Sequence, residues 1–149
     1  IQFNVDIKYL NFYHDLMIFL GWRILHQSNN MLGCGYVDGS SLWFTHPIHH
    51  VENDYDGPGM NHIAFHTESI DDVNEAVMFL FTKKISALFD TPRHRPEFSI
   101  CPEDTYYQVM FETPDKILIA VICPAAETVA LNTAPVPVGA VMVGRYAWL

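Results

Sequence analysis

The spacing of apolar residues changes period in the same order twice along this chain. In each half, a short stretch of alternating apolar and polar residues is followed by a stripe at steps of three and four residues, and then by three more short apolar stretches. Alternation predicts β-strands, and the longer steps predict an amphipathic helix. The 149 residues are therefore predicted to form two tandem βαβββ modules of the α+β class.

The first module covers residues 1–46. Asp6 is placed to cap a helix that begins near Ile7, and the turn signal Asp38-Gly39 separates the last two strands. The predicted strands of this module are 1–6, 22–27, 31–37 and 40–45.

The second module covers residues 60–123 and follows a linker at 47–59 that is rich in Gly, Pro, Asn and Asp. Ser69 caps its helix, with Asp72 three residues further on. The predicted strands of this module are 60–67, 85–90, 105–112 and 117–123.

Residues 124–149 match neither module and stay unassigned. They are rich in Ala, Val and Pro. Because this tail is so apolar, we expect it to pack onto the body of the protein or onto a neighbouring chain rather than to be solvated.

Charge and composition exclude several classes of partner. The formal net charge of −9 leaves no basic stripe for phosphates, so we expect neither nucleic acid nor an anionic membrane surface as a partner. No apolar run reaches the length of a membrane span, and no segment resembles a signal peptide. Cys34, Cys101 and Cys123 have no CxxC spacing, and we interpret them as buried reduced thiols. We therefore expect a cytoplasmic protein.

Three segments carry a family resemblance. FYHDLMIFLGW in the first helix, GPGMNHIAFHTESIDDV at the start of the second module and YYQVMFETPDKILIAV near its end together resemble the vicinal oxygen chelate superfamily. This superfamily includes glyoxalase I, bleomycin-resistance proteins and extradiol dioxygenases. The resemblance implies a curved mixed sheet around a cavity, binding of a small organic molecule, and homodimers that complete such cavities.

The resemblance also implies four ligand places for a divalent metal ion, on the first and last strands of each module. His62 occupies the place on the first strand of the second module. The corresponding place in the first module falls before Ile1. The two remaining places hold Ala120 and Trp43, which have no ligating atom. His62 is thus the only metal ligand that we can name, and we expect at most weak binding of a divalent metal ion.

Residues two apart on a strand share a face, so strand alternation predicts which side chains line a ligand pocket together with His62. The same face should carry small and apolar side chains with few polar groups, which suits an uncharged or aromatic ligand better than a phosphorylated one. A neighbouring strand carries Tyr106, Tyr107, Gln108 and Met110. Which of these side chains face the pocket depends on the strand register, because a shift of one residue turns each side chain to the other face. The predicted pocket residues are His62, Trp43, Ser41, Ala64, His66, Leu118 and Ala120.

Four other groups have a less specific pattern. We interpret the histidines at 46, 49 and 50 as linker residues without a metal, and the acidic residues at 52, 54 and 56 as a solvated loop, since they lack the spacing of a calcium loop. We interpret residues 93–95 as a basic surface loop that alternatively closes over a ligand carboxylate. Glu112 directly precedes a turn, so we expect it to be exposed rather than to act as a general base.

The leading functional hypothesis is a glyoxalase-like or bleomycin-resistance-like domain that binds a small molecule, with catalysis left open. The first alternative is a metal-dependent lyase, isomerase or dioxygenase that uses His62. The second alternative is a protein-interaction module that docks through the apolar tail.

Overall fold

The first module forms a four-stranded mixed sheet. The computed structural model of the chain describes residues 1–99 and 106–124, and the backbone alone of 141–143. The elements of the first module are β1 (Gln2–Asn4), a 3₁₀ turn (Ile7–Tyr9), α1 (Leu10–Phe19), β2 (Arg23–Gln27), β3 (Met31–Gly35) and β4 (Ser41–Thr45). The strand order is β1-β4-β3-β2, with β1 parallel to β4 and the other pairs antiparallel.

The second module repeats this arrangement. Its elements are β5 (His62–His66), α2 (Ile70–Thr82), β6 (Arg93–His94), a 3₁₀ turn (Pro96–Phe98), β7 (Tyr107–Glu112) and β8 (Leu118–Cys123). The strand order is β6-β7-β8-β5, with β5 parallel to β8, so the order of the first sheet recurs. The backbone of β9 (Val141–Val143), from the segment that the sequence left unassigned, pairs antiparallel with β5. The predicted pair of βαβββ modules is confirmed.

One apolar core joins the two modules. Each sheet contributes the face that its helix covers, and the buried residues of both sheets form a single cluster. The rings of Phe19 on α1 and Phe79 on α2 stack with their centroids 4.7 Å apart. The buried hydroxyl of Tyr13 lies 2.8 Å from Asp115 Oδ2, so a helix of the first module is also tied to a turn of the second by a hydrogen bond. The shared core therefore fixes which sheet faces remain for a ligand.

Both predicted helix caps are confirmed. Asp6 accepts a hydrogen bond from the backbone N–H of Lys8, although the first turn is 3₁₀ and α1 begins only at Leu10. Ser69 and Asp72 form a reciprocal capping box at the start of α2.

The predicted strand at 85–90 is wrong. This segment makes only an isolated bridge between Ala87 and Phe111, and β6 follows at Arg93. Phe89 and Asp90 have φ values of 55° and 54°, in the left-handed region that interrupts an extended strand. The apolar alternation of the segment did not reveal this reversal.

The linker at 47–59 contains no helix or strand. Within the described residues, no helix has both the length and the hydropathy that crossing a membrane requires. Cys34 and Cys123 are buried, and burial raises the pKa of the Cys34 thiol to about 11. Cys101 lies outside the described residues.

Candidate functional site

The face of the second sheet that lies opposite the shared core carries the predicted pocket residues of this module. Ile63 and Phe65 point into the core, so the alternate residues of β5 point the other way. Register aligns three rows across β5, β8 and β7 on this outward face. The rows are His62–Leu118–Glu112, Ala64–Ala120–Met110 and His66–Ile122–Gln108.

The centre of this outward face is apolar. Five side chains form a small cluster of their own, separate from the main core, and Tyr55, Leu88 and Tyr106 pack against it. We call this cluster the floor. The floor consists of Ala64, Met110, Leu118, Ala120 and Ile122. None of these five residues is more than 5% exposed, so the floor is covered in this structure. Polar side chains stand at both of its ends, with His62 at one end and His66 at the other.

At the first end, hydrogen bonds determine which nitrogen of His62 carries the proton. Asn61 Nδ2 donates to the backbone oxygen of Tyr55 over 2.9 Å, which turns Asn61 Oδ1 toward His62. His62 Nδ1 lies 2.9 Å from that oxygen and donates to it. Burial lowers the pKa of His62, so the ring is neutral at pH 7 and has one proton. With this proton on Nδ1, Nε2 presents a lone pair, and it has no hydrogen-bond partner among the described residues.

Glu112 lies in the same row as His62, beyond Leu118. It is half-buried, so the expected exposure beside the turn is wrong. The hydroxyl of Tyr55 donates to Glu112 Oε1 over 2.7 Å, and this hydrogen bond raises the pKa of Tyr55 to about 12. Tyr55 therefore ties the linker to both β7 and Asn61. The sequence also allowed the interpretation that His62 only satisfies a local hydrogen bond with Asn61, and that bond is present. Sequence reasoning missed Tyr55, because its hydrogen bond to Glu112 does not follow from residue spacing.

At the second end, His66 and Gln108 are withdrawn from solvent. Only 8% of His66 and 3% of Gln108 is exposed. Among the residues that the structure describes, neither nitrogen of the His66 ring has a hydrogen-bond partner, and neither does Nε2 of Gln108. Burial lowers the pKa of His66, which keeps its ring neutral. Unpaired buried polar groups are rare in folded proteins, so this end of the floor is unusual.

The outward face of the first sheet carries Trp43 and Ser41. The indole Nε1–H of Trp43 donates to Ser41 Oγ over 3.3 Å, and the half-buried ring lies flat across β3 at Gly33. A methyl group at Gly33 would stand only 2.5 Å from the ring, so glycine is what allows this close approach. The ring of His26 stands beside the indole with its centroid 6.4 Å away. The result is an aromatic surface on the opposite side of this sheet from the core.

A metal centre of the kind the resemblance implies does not fit these residues. Leu118 and Ala120 pair with His62 and Ala64, and their side chains have no atom that can ligate a metal ion. The Trp43 side chain has no such atom either, since its indole N–H is only a hydrogen-bond donor. Gln2 pairs with Trp43 in the first sheet, and Ala64 pairs with Ala120 in the second, so Gln2 corresponds to Ala64. His62 lies two residues before Ala64, and its counterpart therefore falls before residue 1. In the described part of the chain, no three His, Cys, Asp or Glu side chains are grouped to hold a metal ion.

Several linker histidines and carboxylates line a cavity that shares no lining residue with the floor. His49, His50, Glu52 and Asp54 line a cavity of about 860 Å³ together with residues of the first helical turn and of the turn before β8. Glu52 forms an exposed ion pair with Lys116. Exposed pairs of this kind contribute little to stability.

The basic surface loop expected at residues 93–95 is wrong. Arg93 and His94 form the edge strand β6. Arg95 is buried, forms an ion pair with Glu97 and stacks over Phe98 at 4.6 Å. Its guanidinium therefore has a structural partner within the chain.

Comparison with known proteins gives the fold. No family model and no curated protein sequence matches the chain. Solved structures do match. A glyoxalase-type protein from Bacillus halodurans has a TM-score of 0.69 at 22% identity, over 83% of this chain and 92% of that one. A glyoxalase/dioxygenase from Nostoc punctiforme has a TM-score of 0.64 at 18% identity, over 85% and 89%.

A third solved structure agrees with these two. The glyoxalase/bleomycin resistance protein from Albidiferax ferrireducens T118 has a TM-score of 0.64 at 13% identity, over 83% of this chain and 95% of that one. At such identities the likeness carries the fold and not the chemistry. The chain therefore has the paired βαβββ fold of the vicinal oxygen chelate superfamily, as the three sequence segments predicted.

Proposed function

We propose that this protein binds a small, uncharged, aromatic or otherwise apolar organic molecule on the outward faces of its sheets, with His62 as the polar anchor. The observation that carries this proposal is the neutral His62 ring, whose Nε2 lone pair stands at the edge of an apolar floor. Such a nitrogen accepts a hydrogen bond from an O–H or N–H group of the ligand. The apolar floor holds the rest of the molecule once the ligand has displaced what covers it.

The aromatic surface of the first sheet supports the same class of ligand. Trp43 offers a broad ring face that suits stacking with another aromatic ring. Trp43 and His62 both lie on faces turned away from the shared core. The predicted homodimer, in which copies complete each other's cavities, would suit this arrangement. The buried free thiol of Cys34 is compatible with the reducing, cytoplasmic location that we also propose.

Titration with phenol tests the proposal, because phenol is an uncharged aromatic ring with one O–H donor. We expect saturable binding in the parent protein. His62→Leu removes the acceptor and should weaken binding by about 1 kcal/mol or more, roughly fivefold to tenfold in Kd. Asn61→Leu frees the His62 ring to change tautomer and should weaken binding in the same direction.

His49→Ala is the matched control, since His49 lines the linker cavity, which shares no lining residue with the floor. This variant should bind phenol like the parent. Equal phenol affinity in the parent and His62→Leu would rule out His62 as the anchor. Stoichiometric bound metal that is lost from His62→Ala together with an activity would instead favour a metal-dependent enzyme.

A further inference from the structure

The row His66–Ile122–Gln108 at the far end of the floor contains two buried polar side chains that the proposed anchor does not use. Neither ring nitrogen of His66 has a hydrogen-bond partner in the described part of the chain, and Nε2 of Gln108 has none there either. Burying such groups unpaired opposes folding, because each has lost its hydrogen bonds to water. A pair of them in one row indicates a place where a ligand supplies the missing partners.

Strand geometry places both side chains around one position. His66 on β5 and Gln108 on β7 are each directly opposite Ile122 on β8. Neighbouring strands are about 4.8 Å apart, so the Cα atoms of His66 and Gln108 are roughly 10 Å apart. Ile122 is only 1% exposed, so a small planar group that binds between the two side chains has to take the place of what now covers it.

The unmet hydrogen bonds define what this group carries. Gln108 Nε2 is a donor and needs an acceptor, whereas a neutral imidazole needs one donor and one acceptor. A carbonyl oxygen beside an N–H group meets the demand of Gln108 and one of the two demands of His66. A carboxylate offers acceptors only, and an ionised group in so buried a position would lose its hydration.

We propose that the His66–Gln108 row is a second polar subsite that recognises a neutral carboxamide or lactam group of the ligand. Its carbonyl oxygen accepts from Gln108 Nε2, and its N–H donates to His66. This inference rests on the proposed function, since the ligand's apolar part lies on the same floor. Four residues of strand separate His66 from His62, so the two polar ends of the ligand are about 13 Å apart.

Substitution of the buried groups gives a test that needs no ligand. Gln108→Met and His66→Leu remove unpaired polar atoms and keep similar volume, so both should raise the midpoint of thermal unfolding. Gln27→Met is the matched control, because Gln27 is exposed on β2 and its substitution should leave the midpoint unchanged. A lower midpoint for Gln108→Met than for the control would overturn the proposal, since it would mean that the amide is already paired.

Benzamide is the probe for the subsite. In the parent, benzamide should shift the side-chain amide signals of Gln108 in ¹H–¹⁵N NMR spectra, and Gln108→Met and His66→Leu should each lose at least tenfold in benzamide affinity. Tighter binding of benzoate than of benzamide would overturn the neutral class of ligand. If the parent binds phenol at His62 but benzamide leaves the Gln108 signals unchanged, the subsite alone is overturned. If the parent does not bind phenol, the result counts against the proposed function.

Discussion

Substitution of Gly33 by alanine should disrupt the aromatic surface of the first sheet. The new methyl group would stand 2.5 Å from Trp43 Cζ3 and 2.8 Å from two further atoms of the ring. Carbon atoms in contact normally keep about 3.5 Å or more apart, so the indole must move by about 1 Å. Movement of the ring also breaks the 3.3 Å hydrogen bond from Trp43 to Ser41.

The size of this effect follows from two opposing contributions. Overpacking of this kind costs about 1–3 kcal/mol. Replacing glycine in a strand interior returns roughly 0.5–1 kcal/mol of backbone entropy. We therefore expect Gly33→Ala to lower the free energy of unfolding by about 1–2 kcal/mol, measured by urea denaturation.

Gly35→Ala is the matched control two residues along the same strand. Its methyl group would meet Leu25 at 2.8 Å, but half of the Leu25 side chain is exposed and it can swing into solvent. We expect no loss of stability in this variant, and an unchanged tryptophan emission spectrum. Equal stability and equal emission in the two variants would refute the close packing of Trp43 on Gly33.

Three further predictions concern assembly, pH and metal binding. Sedimentation at micromolar concentration should give about twice the chain mass of 17.0 kDa, and a monomer throughout would remove the homodimer. Burial lowers the pKa of His66 below its ordinary value of 6.5, so the unfolded chain takes up a proton there before the folded protein does as pH falls. The contribution of His66 to stability therefore declines as pH falls through 6.5, by at most about 1.4 kcal/mol per pH unit, until the folded ring is protonated too. Urea denaturation at pH 7.5 and 5.5 should show a smaller decline for His66→Leu, and an equal decline would contradict this assignment. Ala120→Glu places a carboxylate near His62 and should bind nickel or zinc more tightly than the parent in calorimetric titration; no gain would mean that position 120 is not the missing ligand place.

The periodic parts of the fold were predictable from the sequence, because periodicity reports burial directly. The stripe through Tyr13 and Met17 and the alternation around Ile63 and Phe65 mark the core-facing side of each element, and the structure buries all four. The capping box at Ser69 is equally local. The segment around Phe89 could not be read in this way, since its left-handed backbone depends on packing and not on apolar spacing.

The candidate site was predictable only as far as strand alternation reaches. Alternation places His62, Ala64 and His66 on one face, but it does not reveal that the linker folds back so that Tyr55 contacts Glu112. Gln108 was uncertain by one register step, and only its pairing with Ile122 places it in the row of His66. Long-range pairings of this kind carry no signal in the spacing of residues along the chain.

The ring nitrogens of His62 provide the most direct test of this account. Long-range ¹H–¹⁵N NMR at pH 7.5 distinguishes a protonated from an unprotonated ring nitrogen. We predict the proton on Nδ1, an unprotonated Nε2, and a shift of the Nε2 signal when phenol is added. A proton on Nε2 in the free protein, with no response to phenol, would contradict the claim that His62 anchors an organic ligand.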